Sequence, residues 1–185
     1  IIGDGVAQLM QTRVITNEKK SIDRAKTITG LIAGSTELHQ FIHQNPAIEL
    51  RATQYTHHPT VLAALPQFTA INSAIEIDLT GQVNAEIANH TYVGAVGGAL
   101  DFIRAANQSY GGVSIIALPA AGKGFSRIVN KLQGPVSTPR SDVGLIVTEY
   151  GVADLRGLTL AQRVEKMLSI AHPDYQSMLA QQAQY

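Results

Sequence analysis

The stretch with the clearest capacity for chemistry is Val93-Gly94-Ala95-Val96-Gly97-Gly98-Ala99-Leu100-Asp101-Phe102, a glycine-bearing loop that runs directly into a segment of helical periodicity. Glycine lets a backbone take positive φ and approach a ligand closely. The first amides of a helix lack internal partners and carry the positive end of its dipole, so such a turn can hold a phosphate or a developing oxyanion. The same spacing also serves an ordinary tight strand-to-helix turn, and G-x-x-G-G is not a dinucleotide fingerprint.

Three further places carry reactive side chains. His57 and His58 adjoin in the polar loop Thr53–Thr60, where an imidazole can act as acid or base or orient a neighbour, or lie on a surface loop. The loop Ala120-Ala121-Gly122-Lys123-Gly124 combines free amides with a lysine that suits a phosphate, and it also reads as a plain surface loop. Glu149 ends the apolar run Val143–Thr148, the position where open α/β sheets keep their sites; as a structural carboxylate it would instead cap Val152–Leu155. Glu76 and Asp78, two apart on one strand, read as a solvated face. His39 and His43 share a helix face at i, i+4 with no third ligand, and Glu37 is misplaced for H-E-x-x-H, so no metal site is expected.

These residues need elements to hold them. Periodicity predicts helices over Asp4–Ile15, with Asp4 as cap, over Thr36–Gln44 after a Ser35 cap, and briefly over Thr60–Leu65. A helix follows the glycine loop to Gln108, buried through Leu100, Ile103 and Ala106. Two more cover Leu158–Ile170, with Leu160, Val164, Met167 and Leu168 inward, and Asp174–Gln184. Strands are expected over Thr27–Gly34, Ala47–Arg51, Thr69–Gly81, Val83–Ala88, Val113–Pro119, Ser126–Leu132 and Val143–Thr148, with a hairpin about Thr80-Gly81-Gln82. Strands alternating with helices make an α/β chain whose mixed, mostly parallel sheet is flanked by helices.

Length allows one domain, 1–185, with a full core. Fourteen basic and fourteen acidic residues balance, which leaves no electrostatic footprint for nucleic acid or an anionic membrane. The absence of cysteine removes disulfides and thiol catalysis, and the cytoplasm is the default compartment. No run of about 18 apolar residues occurs. The chain opens Ile1-Ile2-Gly3-Asp4 without methionine, as expected of a segment of a longer polypeptide.

Taken together, Ile75–Asn84, Gly94–Phe102, Ser126–Val129, Thr138–Val143, Val147–Gly157 and Ala171–Tyr175 resemble the C-terminal half of the acetyl-CoA hydrolase/transferase family, relatives of 4-hydroxybutyrate and acetate CoA-transferases. The resemblance covers nearly the whole chain and implies a CoA-transferase (NagB/RpiA-like) C-terminal domain with the family's N-terminal half absent. It implies acyl-CoA and a small carboxylate as substrates, coenzyme A as the group carried rather than a resident cofactor, and a homo-oligomer. In such enzymes a glutamate attacks the thioester and becomes a glutamyl-CoA thioester; aligned here, that glutamate would immediately precede Ile1, so the 185 residues alone would not turn over.

By the same resemblance Gly97 and Gly98 supply the backbone oxyanion hole, and Gly94, Val96, Gly97, Gly98 and Lys123 meet CoA. His57 falls where relatives carry an orienting Asn, and Glu149 and Arg140 support the site. Ala95 and Ala99 depart from the family's Gly-Val-Gly-Gly-Gln, which keeps the amides and loses a side-chain contact. Three activities follow: CoA transfer, acyl-CoA hydrolysis, and CoA binding without catalysis. Dinucleotide redox chemistry lacks its G-x-G-x-x-G and downstream acid.

Overall fold

Two apolar clusters organise the polypeptide, and the helix that follows the glycine loop joins the larger of them through Ile103. A computed structural model describes residues 1–122 and 124–183. The larger cluster joins Ile77, Leu79, Val83, Ile103, Ile116, Ile146, Leu155 and Met167; the smaller joins Ile2, Ala7, Leu38 and Ile48.

The first part of the chain carries α1 (Asp4–Gln11), β1 (Thr27–Thr29), α2 (Thr36–Ile42), β2 (Ile48–Leu50), α3 (Thr53–Thr56) and α4 (Pro59–Ala63). β1 and β2 pair in parallel, Thr27 opposite Ile48. The centre carries β3 (Thr69–Ser73), β4 (Glu76–Asp78), β5 (Val83–Asn84), β6 (Ile87–Ala88), β7 (Thr91–Tyr92) and α5 (Ala99–Gln108). Beyond it lie β8 (Val113–Ala117), β9 (Ala121–Gly122), β10 (Phe125–Ser126), β11 (Ile128–Val129), β12 (Leu145–Thr148), β13 (Gly151–Asp154), α6 (Leu160–Ser169) and α7 (Pro173–Gln182).

The main sheet runs β13-β12-β8-β3, with β12, β8 and β3 parallel and β13 folded back antiparallel. A second sheet, β11-β4-β5, joins a parallel pair to an antiparallel one. The α/β expectation with mixed sheets holds, but parallel pairing does not predominate: among the described residues four strand pairs are parallel and four antiparallel, and the strands divide among several small sheets. α5 buries Ile103, Ala105 and Ala106, and α6 buries Val164 and Met167. Thr159 and Gln162 close α6 with a reciprocal capping box.

Several expectations change in detail. Helix α1 stops at Gln11, and Asp4 does not cap it: its carboxylate accepts from Ser35 N (3.2 Å) and Ser35 Oγ (2.5 Å), while Ser35 Oγ accepts from Leu38 N at the start of α2. The predicted strand Thr69–Gly81 is two strands in different sheets, because the chain leaves β3 at Ala74 and Ile75 to enter β4. Likewise Val83–Ala88 divides into β5 and β6, and Ser126–Leu132 into β10 and β11. Thr53–Thr56, read as loop, is a single helical turn. Leu160, expected inward, opens α6 exposed to solvent, since the first helical residue sits beyond the sheet.

The largest correction concerns Glu76 and Asp78, which are buried rather than solvated. Asp78 builds the hairpin turn: Oδ1 accepts from Thr80 N, Thr80 Oγ1 and Gln82 N at 2.7–2.9 Å, Oδ2 accepts from Gln82 Nε2 at 2.6 Å, and Gly81 supplies the φ of +95°. Glu76 Oε1 accepts from Asn84 Nδ2 (3.0 Å), Gln133 N (2.6 Å) and Gly134 N (3.2 Å). Asn84 is fully buried and fully bonded: Nδ2 also donates to Ile87 O, while Oδ1 accepts from Glu86 N and Ile87 N. A buried carboxylate survives only when such donors replace its water.

Asn84→Leu therefore leaves a buried carboxylate short of a donor and two amides unpaired, which should cost about 3 kcal/mol or more. Urea unfolding of this variant checks it; a loss below about 1 kcal/mol would show the network to be dispensable.

Candidate functional site

The glycine loop is hung from the polar network just described. Val93 N and Gly94 N both donate to Glu86 O, at 2.9 and 3.0 Å, and the buried Glu86 carboxylate accepts from Tyr92 Oη (2.8 Å) and Ser137 Oγ (2.7 Å). Gly94 lies so close to the Ala85 carbonyl that any Cβ would collide with backbone. Gly97 takes φ +54°, and Gly98 is the N-cap of α5 without a side-chain cap. The amides that open α5 therefore have no partner within the helix. Ala95, Val96 and Gly97 are exposed.

His57 ends α3 and meets this loop. Its Nδ1 lies 2.8 Å from Thr56 Oγ1, and its ring stands edge-on to Phe102 with centroids 4.9 Å apart. The Cδ2–Nε2 side of the ring packs on Gly98, where a Cβ would overlap it. Two residues 41 positions apart, both singled out from sequence, thus share one site. Phe102 comes from the first turn of α5 and stacks at a tilt with Phe68, so the helix that presents the amides also seats the imidazole.

His57, Thr56, Phe68 and Phe102 line a cavity of about 750 Å³ that also takes in Ile1, Thr29, Gly30, Leu62 and Leu65. Ile1 reaches this wall because Ile2 is tied between backbone groups: Ile2 N donates to Leu31 O and Ala33 N donates to Ile2 O, both at 3.0 Å. The opposite margin carries Lys19, Lys20 and Tyr55, whose Oη donates to Asp23 Oδ2 at 2.6 Å. Burial holds the Lys20 ammonium below its ordinary value, and Lys20 Nζ donates to Lys26 O at 2.8 Å. Thr56 and Phe68 escaped the sequence reading, and Phe102 entered it as the end of the glycine-loop stretch without a role of its own. Each is an ordinary packing residue by type, and only the adjacency of Thr56 to His57 could have pointed to one of them.

Other candidates lie elsewhere. Glu149 Oε2 accepts from Ala120 N (2.8 Å), tying the β12–β13 turn to the loop after β8; it caps no helix, because Gly151–Asp154 is strand β13. That amide bond first, then its own backbone amide, holds the Glu149 carboxyl below the usual carboxylate range, with the nearby His172 adding to the effect. Arg140 contributes its carbonyl, which accepts from Arg163 Nη1 at 2.7 Å behind the Gly81 turn. Neither residue lines the cavity. Lys123 falls outside the described residues. His39, His43 and His58 are exposed.

Two outcomes follow from this geometry. In Gly98→Ala the new methyl must displace a ring pinned by Thr56 and Phe102, at a cost of about 1–3 kcal/mol. In a His57→Ala background most of that penalty should vanish, and a double-mutant cycle in thermal unfolding measures the coupling. Glu149→Ala should lose about 1 kcal/mol or less, since the carboxylate is exposed. With the folded value depressed, this contribution is present above the ordinary carboxylate range and disappears as pH falls through the folded value. Unfolding at pH 7 and pH 3 should show the gap closing in acid.

The model of the acetyl-CoA hydrolase/transferase C-terminal domain matches residues 34–183. Among curated proteins, the 4-hydroxybutyrate coenzyme A transferase of Clostridium kluyveri is 40% identical over 183 residues, covering 97% of this chain and 43% of that protein. Among solved structures, RipA from Yersinia pestis superposes with a TM-score of 0.90 at 36% identity, covering 98% of this chain and 41% of that one. The 4-hydroxybutyrate CoA-transferase of Porphyromonas gingivalis gives 0.85 at 40% identity, over 97% and 42%. The chain thus spans about two fifths of the length of such relatives.

Proposed function

Because the chain belongs to the acetyl-CoA hydrolase/transferase family, through its C-terminal domain, we propose that the intact protein moves coenzyme A from an acyl-CoA to a small carboxylate. One observation carries the reading: Ile1 and His57 line one cavity although they lie far apart in sequence, and the His57 ring packs on Gly98 of the glycine loop.

A glutamate preceding Ile1 is the nucleophile in this reading, which the place of Ile1 on the cavity wall supports. Its carboxylate attacks the thioester carbonyl, expelling CoA thiolate and leaving an acyl-glutamyl anhydride. The thiolate then attacks the glutamyl carbonyl, releases the acyl group as a carboxylate and leaves a glutamyl-CoA thioester. An acceptor carboxylate attacks that thioester, expels the thiolate and forms a second anhydride. Thiolate attack on the acceptor's carbonyl then gives the new acyl-CoA and frees the glutamate. Splitting one exchange into such steps lowers each barrier.

Each step passes through a tetrahedral oxyanion. The amides of Gly97 and Gly98, with the start of α5 behind them, are the donors proposed to meet it. Removing one such donor costs on the order of 100-fold or more in turnover. Exposed Val96 is proposed to border CoA, with Gly94 letting the loop descend beside Ala85; Lys123 is retained as a proposed CoA contact. The His57 Nε2 edge, packed on Gly98, is the proposed donor to the nucleophile's carboxylate. An imidazole can also activate water, which supports acyl-CoA hydrolysis as the second reading.

Mass spectrometry of the intact protein after exposure to acetyl-CoA, without acceptor, tests the mechanism. A CoA adduct should appear on the peptide that runs into Ile1–Arg13, at the residue before Ile1, and the 185-residue segment alone should show no exchange. An adduct elsewhere would remove the assignment; water consumption outpacing carboxylate transfer would favour hydrolysis.

A further inference from the structure

The bond between Thr56 and His57 determines what the imidazole can do. We propose that Thr56 is the positioning residue for His57: its hydroxyl donates to Nδ1 and holds the ring as the Nε2–H tautomer, which turns a donor toward Gly98 and the glycine loop. The proposal rests on the reading of His57 as the group that orients the attacking carboxylate.

A threonine ending a helical turn ordinarily bonds back to the carbonyl three or four residues earlier. Here those carbonyls are served by main-chain amides: Ala52 O accepts from Tyr55 N and Thr56 N, and Thr53 O accepts from His57 N. Among the described residues, the polar partner of Thr56 Oγ1 is His57 Nδ1 at 2.8 Å. The hydroxyl proton therefore has one protein acceptor, the imidazole nitrogen. If Nδ1 carried the hydrogen, it would spend it on the hydroxyl, strand the hydroxyl proton, and present a lone pair at Nε2. A bare lone pair repels a carboxylate, whereas an N–H bonds it.

The surroundings keep the ring from escaping this arrangement. Phe102 stands edge-on at 4.9 Å and Gly98 abuts the Cδ2–Nε2 side, while a ring flip would put Cδ2 in place of Nδ1 against Thr56 and leave the hydroxyl proton without that acceptor. Thr56 and His57 both line the cavity, and the Cδ2–Nε2 edge of the ring meets Gly98 of the glycine loop. A carboxamide offers its N–H without a tautomer; a histidine needs a neighbour to set one, and Thr56 supplies it.

The test uses the intact protein labelled with 15N-histidine, as wild type, Thr56→Val and Thr56→Ser. Long-range 1H–15N spectra should show His57 as the Nε2–H tautomer in wild type and Thr56→Ser, and a mixture in the isosteric Thr56→Val. CoA-transfer kcat should fall about tenfold in Thr56→Val, the equivalent of one hydrogen bond, and return in Thr56→Ser, with unchanged thermal unfolding in both. An Nδ1–H tautomer in wild type, or an unaltered tautomer in Thr56→Val, overturns the proposal whatever the activity. A tautomer that shifts as expected while kcat stays constant keeps the hydroxyl–imidazole assignment and instead overturns the place of His57 in the mechanism.

Discussion

A buried amide, Asn84, holds together the part of the molecule on which its chemistry depends. Its four hydrogen bonds reach the Glu76 carboxylate, the carbonyl of Ile87 and the amides of Glu86 and Ile87. Through Glu76 it fixes Gln133 and Gly134, and through the backbone at Glu86 it fixes the point from which the glycine loop departs. Gly134 packs so tightly on the Asn84 amide that only a residue without Cβ fits. Such a network is worth its desolvation only when complete, because a partly bonded buried carboxylate costs more than it returns.

The surface ion pairs have a lesser part. Arg51–Glu49 and Arg156–Asp154 are substantially exposed, as is the guanidinium of Arg104–Asp142, and exposed pairs contribute from nothing to about 1 kcal/mol. The distinction decides where rigidity resides. Ion pairs decorate elements already packed, whereas the Glu76–Asn84–Glu86 group decides how the chain passes from β4 through two short hairpins to α5. The apolar stripe of α5 then settles the helix on the main sheet, and its first turn delivers Phe102 to the imidazole.

Close approach at glycine is the second constraint. Gly94 admits the Ala85 carbonyl and Gly98 admits the His57 ring, so the loop is compressed from both sides while Gly97 turns through positive φ. The site gains its preorganisation from this crowding. Amides held by backbone and packing need not reorganise, which is what the role proposed for this loop requires.

Several features were legible in the residues alone. The period of the apolar pattern marks α2, α5, α6 and α7, and the Ser35 and Thr159 caps are local hydrogen bonds between near neighbours. The glycine loop and the β4–β5 hairpin are local as well, and the family resemblance rests on such ordered motifs. Strand partition was not legible: the alternation from Thr69 to Gly81 is continuous, and only packing moves β4 into a different sheet from β3. Glu76 and Asp78 looked solvated by type, because the donors that make their burial possible come partly from Gln133 and Gly134, more than fifty residues on. The contact of His57 with Gly98 and the aim of Thr56 are likewise tertiary facts. Short-range periodicity records which face of an element is buried, whereas the identity of what it is buried against depends on loop closure across the whole chain.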